Sequence, residues 1–191
     1  YIGTKNIVDI SKNMKIKWFF FASTSHVYKS SKKPIKENFS TIPYSYYGKT
    51  KLLAEKYVKK SLKNYCIGRI FSTSNKSQRK NYLIPDLKKK IKKSKHFLNL
   101  KNLNHYRDFI SMEDIVKIIN LLLKKKFTGI VNIGSGKGIY LKDIANIILN
   151  KYNKKGIFFD NKKITYLIAN NQKVKNITKL NFKSNIKKLI F

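Results

Sequence analysis

Acidic residues are scarce in this chain: nine Asp and Glu stand against 43 Lys and Arg in 191 residues, a formal net charge of +34. Arginine is scarce as well, with only Arg69, Arg79 and Arg107 among the basic residues. Base readers and phosphate clamps favour Arg, whose planar fork binds two acceptors at once. Here the Lys residues are spread over every segment, together with abundant Asn and Ile. This pattern argues against a specific nucleic-acid binder and reads as a coding bias toward A/T-rich codons carried on solvated faces. The positive field still attracts an anionic ligand. The single cysteine, Cys66, excludes an internal disulfide and lies in an apolar run as a small core residue. No apolar stretch approaches the ~20 residues of a membrane span, and no signal peptide is recognisable. The expected location is therefore cytoplasmic, without a membrane partner. Glycine is sparse too, and its one cluster is Gly134-Ser135-Gly136-Lys137-Gly138. No metal site is expected.

What is present is the composition of a folded domain, with 42% apolar and 13% aromatic residues. The length suits one good core or two small ones. A helical spacing over residues 4–14 puts Ile7, Val8, Ile10 and Met14 on one face. Residues 16–22 (IKWFFFA) form a nearly continuous apolar run, as a strand covered on both sides requires. Residues 29–43 read as a loop. Residues 45–62 read as a helix with Leu52, Leu53, Tyr57 and Val58 apolar, and 65–71 (YCIGRIF) as a second buried strand. A stripe of Leu83, Ile84, Leu87 and Ile91 predicts a helix over 82–93, and Phe97 to Leu100 is short and extended. Ser111 with Asp114 forms a capping box for the next helix. Residues 129–133 predict a strand, 134–136 a turn and 141–152 a helix. The tail holds a strand at 157–159 and one or two short Lys-rich helices. Strands separated by helices of this length predict an α/β domain with a parallel sheet.

One stretch carries chemistry. Thr24 stands at the carboxyl end of the first apolar run, and Tyr47 and Lys51 follow on a helix. Residues four apart share one helical face, so Lys51 lies one turn from Tyr47. A free phenol titrates near 10, and a neighbouring ammonium favours its ionised form. A strand-end hydroxyl holds a substrate oxygen where open α/β sheets bind their ligands. Tyr-x-x-x-Lys by itself is a weak signal in a chain rich in both residues. Its weight comes from the order of strand, Ser-Thr, Val-Tyr, loop with Pro43, Tyr-Gly-x-x-Lys, helix and strand.

In that order the chain resembles the extended short-chain dehydrogenase/reductases, the NAD-dependent nucleotide-sugar epimerases, dehydratases and reductases. The blocks FFFASTSHVY, PIKENFSTIPYSYYGKTKLLAEKYV, CIGRIF, HYRDFISMEDIVKII, GIVNIGSGKGIYLKDIANII and LIANNQKVKNITKLNF match it in register over nearly all of the sequence. The resemblance implies a Rossmann-type doubly wound parallel sheet and a small α/β C-terminal substrate domain. Residues 1–73 and 107–133 then belong to the dinucleotide-binding part, and 74–106 and 134–191 to the substrate part. It implies NAD or NADP as cofactor, a nucleotide-diphosphate sugar as substrate, and a homodimer through the helix that bears Tyr47. Tyr47 becomes the catalytic acid/base. Lys51 binds the nicotinamide ribose and tunes Tyr47, and Thr24 bonds the reacting hydroxyl. Arg107 contacts the diphosphate, where the alternative is an ion pair with Asp108 or Asp114. Leu83 lines the nucleoside, unless it belongs to the core stripe, and Ser72 replaces the Asn that usually contacts the sugar. Dehydratases of this family carry Asp-Glu after the catalytic Thr. Here the pair is Ser25-His26, which disfavours 4,6-dehydration and leaves epimerase or 4-keto-reductase. For His26 itself, a capping or packing role is set beside that of a proton donor. A non-catalytic binding protein of the same fold is the alternative class.

The family's G-x-x-G-x-x-G loop is absent from these 191 residues, and the opening at Tyr1 reads as a cut, with the N-terminal half of the sheet missing. The Gly134–Gly138 cluster has the wrong spacing and comes too late to serve as that loop. The expectation is that a polypeptide of these residues alone aggregates or stays molten and binds no NAD. A saturable NAD titration of such a polypeptide, followed by fluorescence, would contradict it.

Overall fold

The computed structural model describes residues 1–75, 78–79, 81–95, 97–181, 186 and 190. Helix α1 (Ile2–Asn13) leads into β1 (Phe19–Thr24), a one-turn 3-10 helix (Ser25–Val27) and α2 (Tyr46–Ser61). Strand β2 (Tyr65–Ile70), a short β3 (Ser72–Thr73), α3 (Leu83–Lys93) and β4 (Phe97–Lys101) follow. Then come β5 (His105–Ile110), α4 (Met112–Lys124), β6 (Gly129–Ile133), β7 (Gly138–Tyr140) and α5 (Leu141–Lys151). Strands β8 (Lys155–Phe159) and β9 (Thr165–Leu167) and helix α6 (Gln172–Thr178) complete the described elements.

The three apolar runs form a parallel sheet in the order β1-β2-β6, with Phe21 opposite Ile67 and Ile67 opposite Ile130. Its inner faces are continuous with Val8, Ala54 and Val58 on one side and with Ile115, Ile118 and Leu122 on the other. This is the α/β architecture with a parallel sheet that the alternation of elements predicts, in the Rossmann-like form that the resemblance implies. Cys66, in the middle strand, is fully buried, and burial pushes its thiol up to about 12. Among the described residues no strand pairs with the outer edge of β1. A second sheet gathers β3, β7 and β9 around β5, with β3 and β9 parallel to it and β7 antiparallel. Strands β4 and β8 pair with each other, and α3 and α5 pack in their own cluster through Ile84, Leu87, Ile91, Ile144 and Ile148. No described helix is long and apolar enough to cross a membrane.

Several boundaries differ from the pattern. The strand predicted at 16–22 runs from Phe19 to Thr24, because Lys15 turns the chain at positive φ and Trp18 hydrogen-bonds the Phe127 carbonyl (2.9 Å) instead of entering the sheet. Strands β5, β7 and β9 are not apparent as apolar runs. Helix α1 turns its expected face outward: Val8 and Ser11 are buried, whereas Ile7, Ile10 and Met14 are 58%, 58% and 71% exposed. The 7–10–14 spacing is a genuine stripe, but the sheet lies on the neighbouring stripe of the same helix. In α2, Leu53 likewise faces out while Ala54, Glu55 and Val58 face in. The second tail helix falls largely on residues outside those described.

A buried ion pair ties the sheet to α2. Glu55 accepts from Arg69 Nε (3.0 Å) and NH2 (2.7 Å) and from the Ser23 hydroxyl (2.5 Å). Arg69 also donates to the Tyr28 phenol (2.8 Å), whose own proton goes to Asn132 Oδ1 (2.7 Å). Breaking such a pair strands a charge in a dry interior, at a cost of about 3–5 kcal/mol. Glu55→Ala is expected to lower stability by about that amount in urea unfolding. Glu55→Ala with Arg69→Met should cost less than the sum of the single changes.

Candidate functional site

The parallel strands deliver their carboxyl ends to one edge of the sheet, and the residues singled out from the sequence gather there around β1. Thr24 closes β1, and its hydroxyl accepts from the His26 amide (3.3 Å), capping the 3-10 turn. Val27 and Tyr28, both buried, pin that turn. Opposite it, Ser45 caps α2 by accepting from the Gly48 amide (3.1 Å). A Cβ on Gly48 would overlap the His26 carbonyl oxygen and press on Pro43 Cβ. Glycine at this position is therefore what lets the helix start touch the turn that carries Thr24 and His26.

Tyr47 emerges from this contact 53% exposed, and its ring meets the edge of the His26 imidazole with centroids 6.1 Å apart. Lys51 lies one turn along. Its ammonium donates to the Ala22 carbonyl (2.8 Å) and stands 4.9 Å over the Phe21 ring. Burial lowers its pKa, against the pull of Glu55. Ala22 engages one of the three N–H donors of Lys51. His26 is an exposed residue, yet the protein around it desolvates the imidazole. This desolvation, then the charge of Arg107, holds its pKa below the ordinary value. The imidazole is accordingly neutral at neutral pH.

Among the described residues no carboxylate lies within ion-pair distance of Arg107. It donates to the Tyr106 carbonyl (2.8 Å) and to the Thr165 carbonyl (3.0 Å) and hydroxyl (2.8 Å). Burial pulls its pKa down to about 10, so it stays a cation in want of an anion. Asp108 points the other way and is fully buried. It accepts from Ser135 N (2.8 Å), Ser135 Oγ (2.6 Å), Gly136 N (2.9 Å) and Ala169 N (3.1 Å). Burial raises its pKa, and those hydrogen bonds pull it back. Asp114 is engaged with Ser111 in the capping box.

Ser72 is half-buried on β3 and pairs in register with Phe109, two residues from Arg107. Leu83 opens α3 at 37% exposure and stands outside the buried stripe of Ile84, Leu87 and Ile91. The structure thus brings Thr24, His26, Tyr47 and Lys51 together, sets Arg107 within electrostatic reach of His26, and leaves Leu83 on the surface of another helix. The sequence reading missed Thr165 and His105, which surround Arg107, and gave no weight to Glu55. A lone acid between Ala54 and Val58 on the inward face of a Lys-rich helix was the available signal.

A family model described as "NAD dependent epimerase/dehydratase family" matches residues 1–134. A dTDP-4-dehydro-6-deoxyglucose reductase of Escherichia coli is 31% identical over 149 residues, which is 74% of this chain and 47% of that protein. The chain therefore spans about half the length of the curated relative it matches. A UDP-glucuronic acid 4-epimerase from Bacillus cereus, solved with UDP-glucuronic acid and NAD, shares 23% identity at a TM-score of 0.84, covering 98% of this chain and 63% of that one. A dTDP-glucose 4,6-dehydratase from Bacillus anthracis, solved with NAD, shares 21% at 0.86, covering 99% and 64%. The structure of RMD from Pseudomonas aeruginosa, complexed with NADPH, shares 16% at 0.85, covering 99% and 69%.

Proposed function

Because the chain belongs to the NAD-dependent epimerase/dehydratase family, we propose that it serves NAD(P)-dependent epimerisation or 4-keto reduction of a nucleotide-activated hexose. The observation that carries this reading is the cluster at the end of β1: an accessible phenol, an ammonium one helical turn away and a strand-end hydroxyl. Tyr47 exchanges a proton with the sugar 4-oxygen, and the Thr24 hydroxyl holds that same oxygen. Lys51, fixed by Ala22, keeps a positive charge beside the phenol and offers its remaining N–H groups to a ribose hydroxyl. The dinucleotide, when bound, takes or gives the hydride at the sugar carbon. Arg107 holds the diphosphate, and Ser72 and Leu83 line the sugar and nucleoside.

These residues fit the nicotinamide end of a dinucleotide. They do not supply its pyrophosphate site. The one glycine cluster has already turned the amides of Ser135 and Gly136 onto Asp108, so no free cradle of amides remains there for a phosphate. In this reading residues 1–73 and 107–133 serve the cofactor and 74–106 and 134–191 the substrate. The reductase relative favours reduction over epimerisation. A 4,6-dehydratase is less favoured, since His26 rather than a carboxylate stands beside Tyr47.

In the intact protein Tyr47→Phe is expected to lower kcat by about 10²–10⁴-fold, with an unchanged circular-dichroism spectrum. An unaffected rate across a panel of activated sugars would exclude the mechanism. A reductase consumes one NAD(P)H per product and an epimerase none, so cofactor absorbance separates the two.

The exposed apolar residues Ile2, Ile7 and Ile10 on α1 and Met14 at its end, with Tyr46 and Leu53 on α2, support a homodimer through these two helices. Charge should split it: Ile7→Glu with Ile10→Glu is expected to halve the mass seen in sedimentation. A wild type that already sediments as a monomer would refute the pairing.

A further inference from the structure

Arg107 is held by a relay whose members the proposed mechanism does not use. His105 and Arg107 are two residues apart on β5 and share one face of the strand. Strand β9 runs parallel beside them, with Thr165 in register with His105. Arg107 NH2 donates to Thr165 Oγ1 (2.8 Å), and that oxygen lies 3.0 Å from His105 Nδ1. The Thr165 amide donates to the same Nδ1 (3.3 Å). An amide can only donate, so Nδ1 must be an acceptor. The hydroxyl proton then also points to Nδ1, and the imidazole is assigned as neutral with its proton on Nε2. The chain of donors runs Arg107 to Thr165 to His105, each bond polarising the next.

We propose that Thr165 and His105 act as positioning residues behind Arg107, holding its guanidinium for a sugar-nucleotide diphosphate and making that grip depend on pH. The inference rests on the reading of Arg107 as the diphosphate ligand. The charged groups that face His105 are Arg107 on β5 and Asp160 and Lys162 in the segment after β8. Asp160 is itself paired with Lys142 of α5 (2.5 Å). Desolvation first, then Arg107, keep the imidazole's pKa below its ordinary value, and Asp160 opposes them.

Nε2 already carries a proton, so a further one must go on Nδ1, where it takes the acceptor from the Thr165 amide and hydroxyl and breaks the relay. By reciprocity, an anion gripped through the relay lowers the His105 titration midpoint. Affinity therefore falls as pH falls through that midpoint. Thr165 acts differently: losing its hydroxyl removes one hydrogen bond to a charged group at every pH.

The experiment uses the intact protein with UDP-glucose and dTDP-glucose, whose diphosphate diesters keep their charge between pH 5.5 and 8. Binding is read by calorimetry, and the histidine C2–H resonances by NMR, with His105 identified by its loss in His105→Gln. Saturating ligand is expected to lower the His105 midpoint by about half a pH unit, equivalent to about threefold weaker binding at the acid end. His105→Gln removes that share of the pH slope, and the share of His26, which also feels Arg107, is read from its own resonance. Thr165→Val is expected to weaken binding at least about tenfold at both pH values, and Thr165→Ser to restore it. A His105 midpoint that ligand does not move, or a Thr165→Val protein that binds as wild type, would overturn the relay. An Arg107→Gln protein that binds as wild type would instead overturn the diphosphate reading beneath it.

Discussion

The Glu55–Arg69 pair is the contact on which the rest of the arrangement depends. Through it and its immediate hydrogen bonds, one polar network touches every element that orients the cluster at the end of β1. Ser23 belongs to β1, Glu55 to α2, Arg69 to β2, Asn132 to β6 and Tyr28 to the turn after Thr24. Asn132 extends the network into the loop, donating its side-chain amide to the Ile35 carbonyl (2.8 Å) and its backbone amide to Glu37 (2.9 Å). Apolar packing alone would let α2 slide or rotate over β1 with little penalty. A carboxylate that must meet a guanidinium and a hydroxyl at hydrogen-bond distance tolerates no such slip. Tyr47 and Lys51 ride on that helix, so the buried pair fixes where the phenol stands relative to Thr24.

A second buried carboxylate organises the other half. Asp108 gathers the turn at Gly134–Gly136 and the start of the tail at Ala169 onto β5. Its neighbour Arg107 then projects from the opposite face of the same strand. The two adjacent residues divide their work by strand alternation: the acid is satisfied internally by amides, and the base is left with carbonyls and a hydroxyl. That division bears on the alternative set beside a diphosphate contact for Arg107, an ion pair with Asp108 or Asp114. Arg107 pairs with neither.

The sheet β1-β2-β6 was legible because parallel strands buried on both faces leave unbroken apolar runs, as in Phe19–Ala22 and Tyr65–Ile70. The cluster of Thr24, Tyr47 and Lys51 was legible because a strand end and a helical turn fix its spacing locally. Strand β5 was not, since HYRDFI neither alternates nor runs apolar, and the partners of its polar residues, Thr165, Ser135 and Ala169, lie far along the chain. Periodicity also failed to say which stripe of α1 faces the sheet. Ile7, Ile10 and Met14 recur at helical spacing, but the neighbouring stripe through Val8 and Ser11 packs inward, because spacing reports a face and not what covers it. Leu83 shows the same limit at the start of α3.

Cys66 holds the one sulfhydryl of these 191 residues in the middle strand, fully enclosed and pushed far from ionisation. A thiolate is the reactive form, so an alkylating reagent has nothing to attack while the strands stay together. Its rate of labelling therefore clocks how often the parallel sheet parts, with no engineered probe.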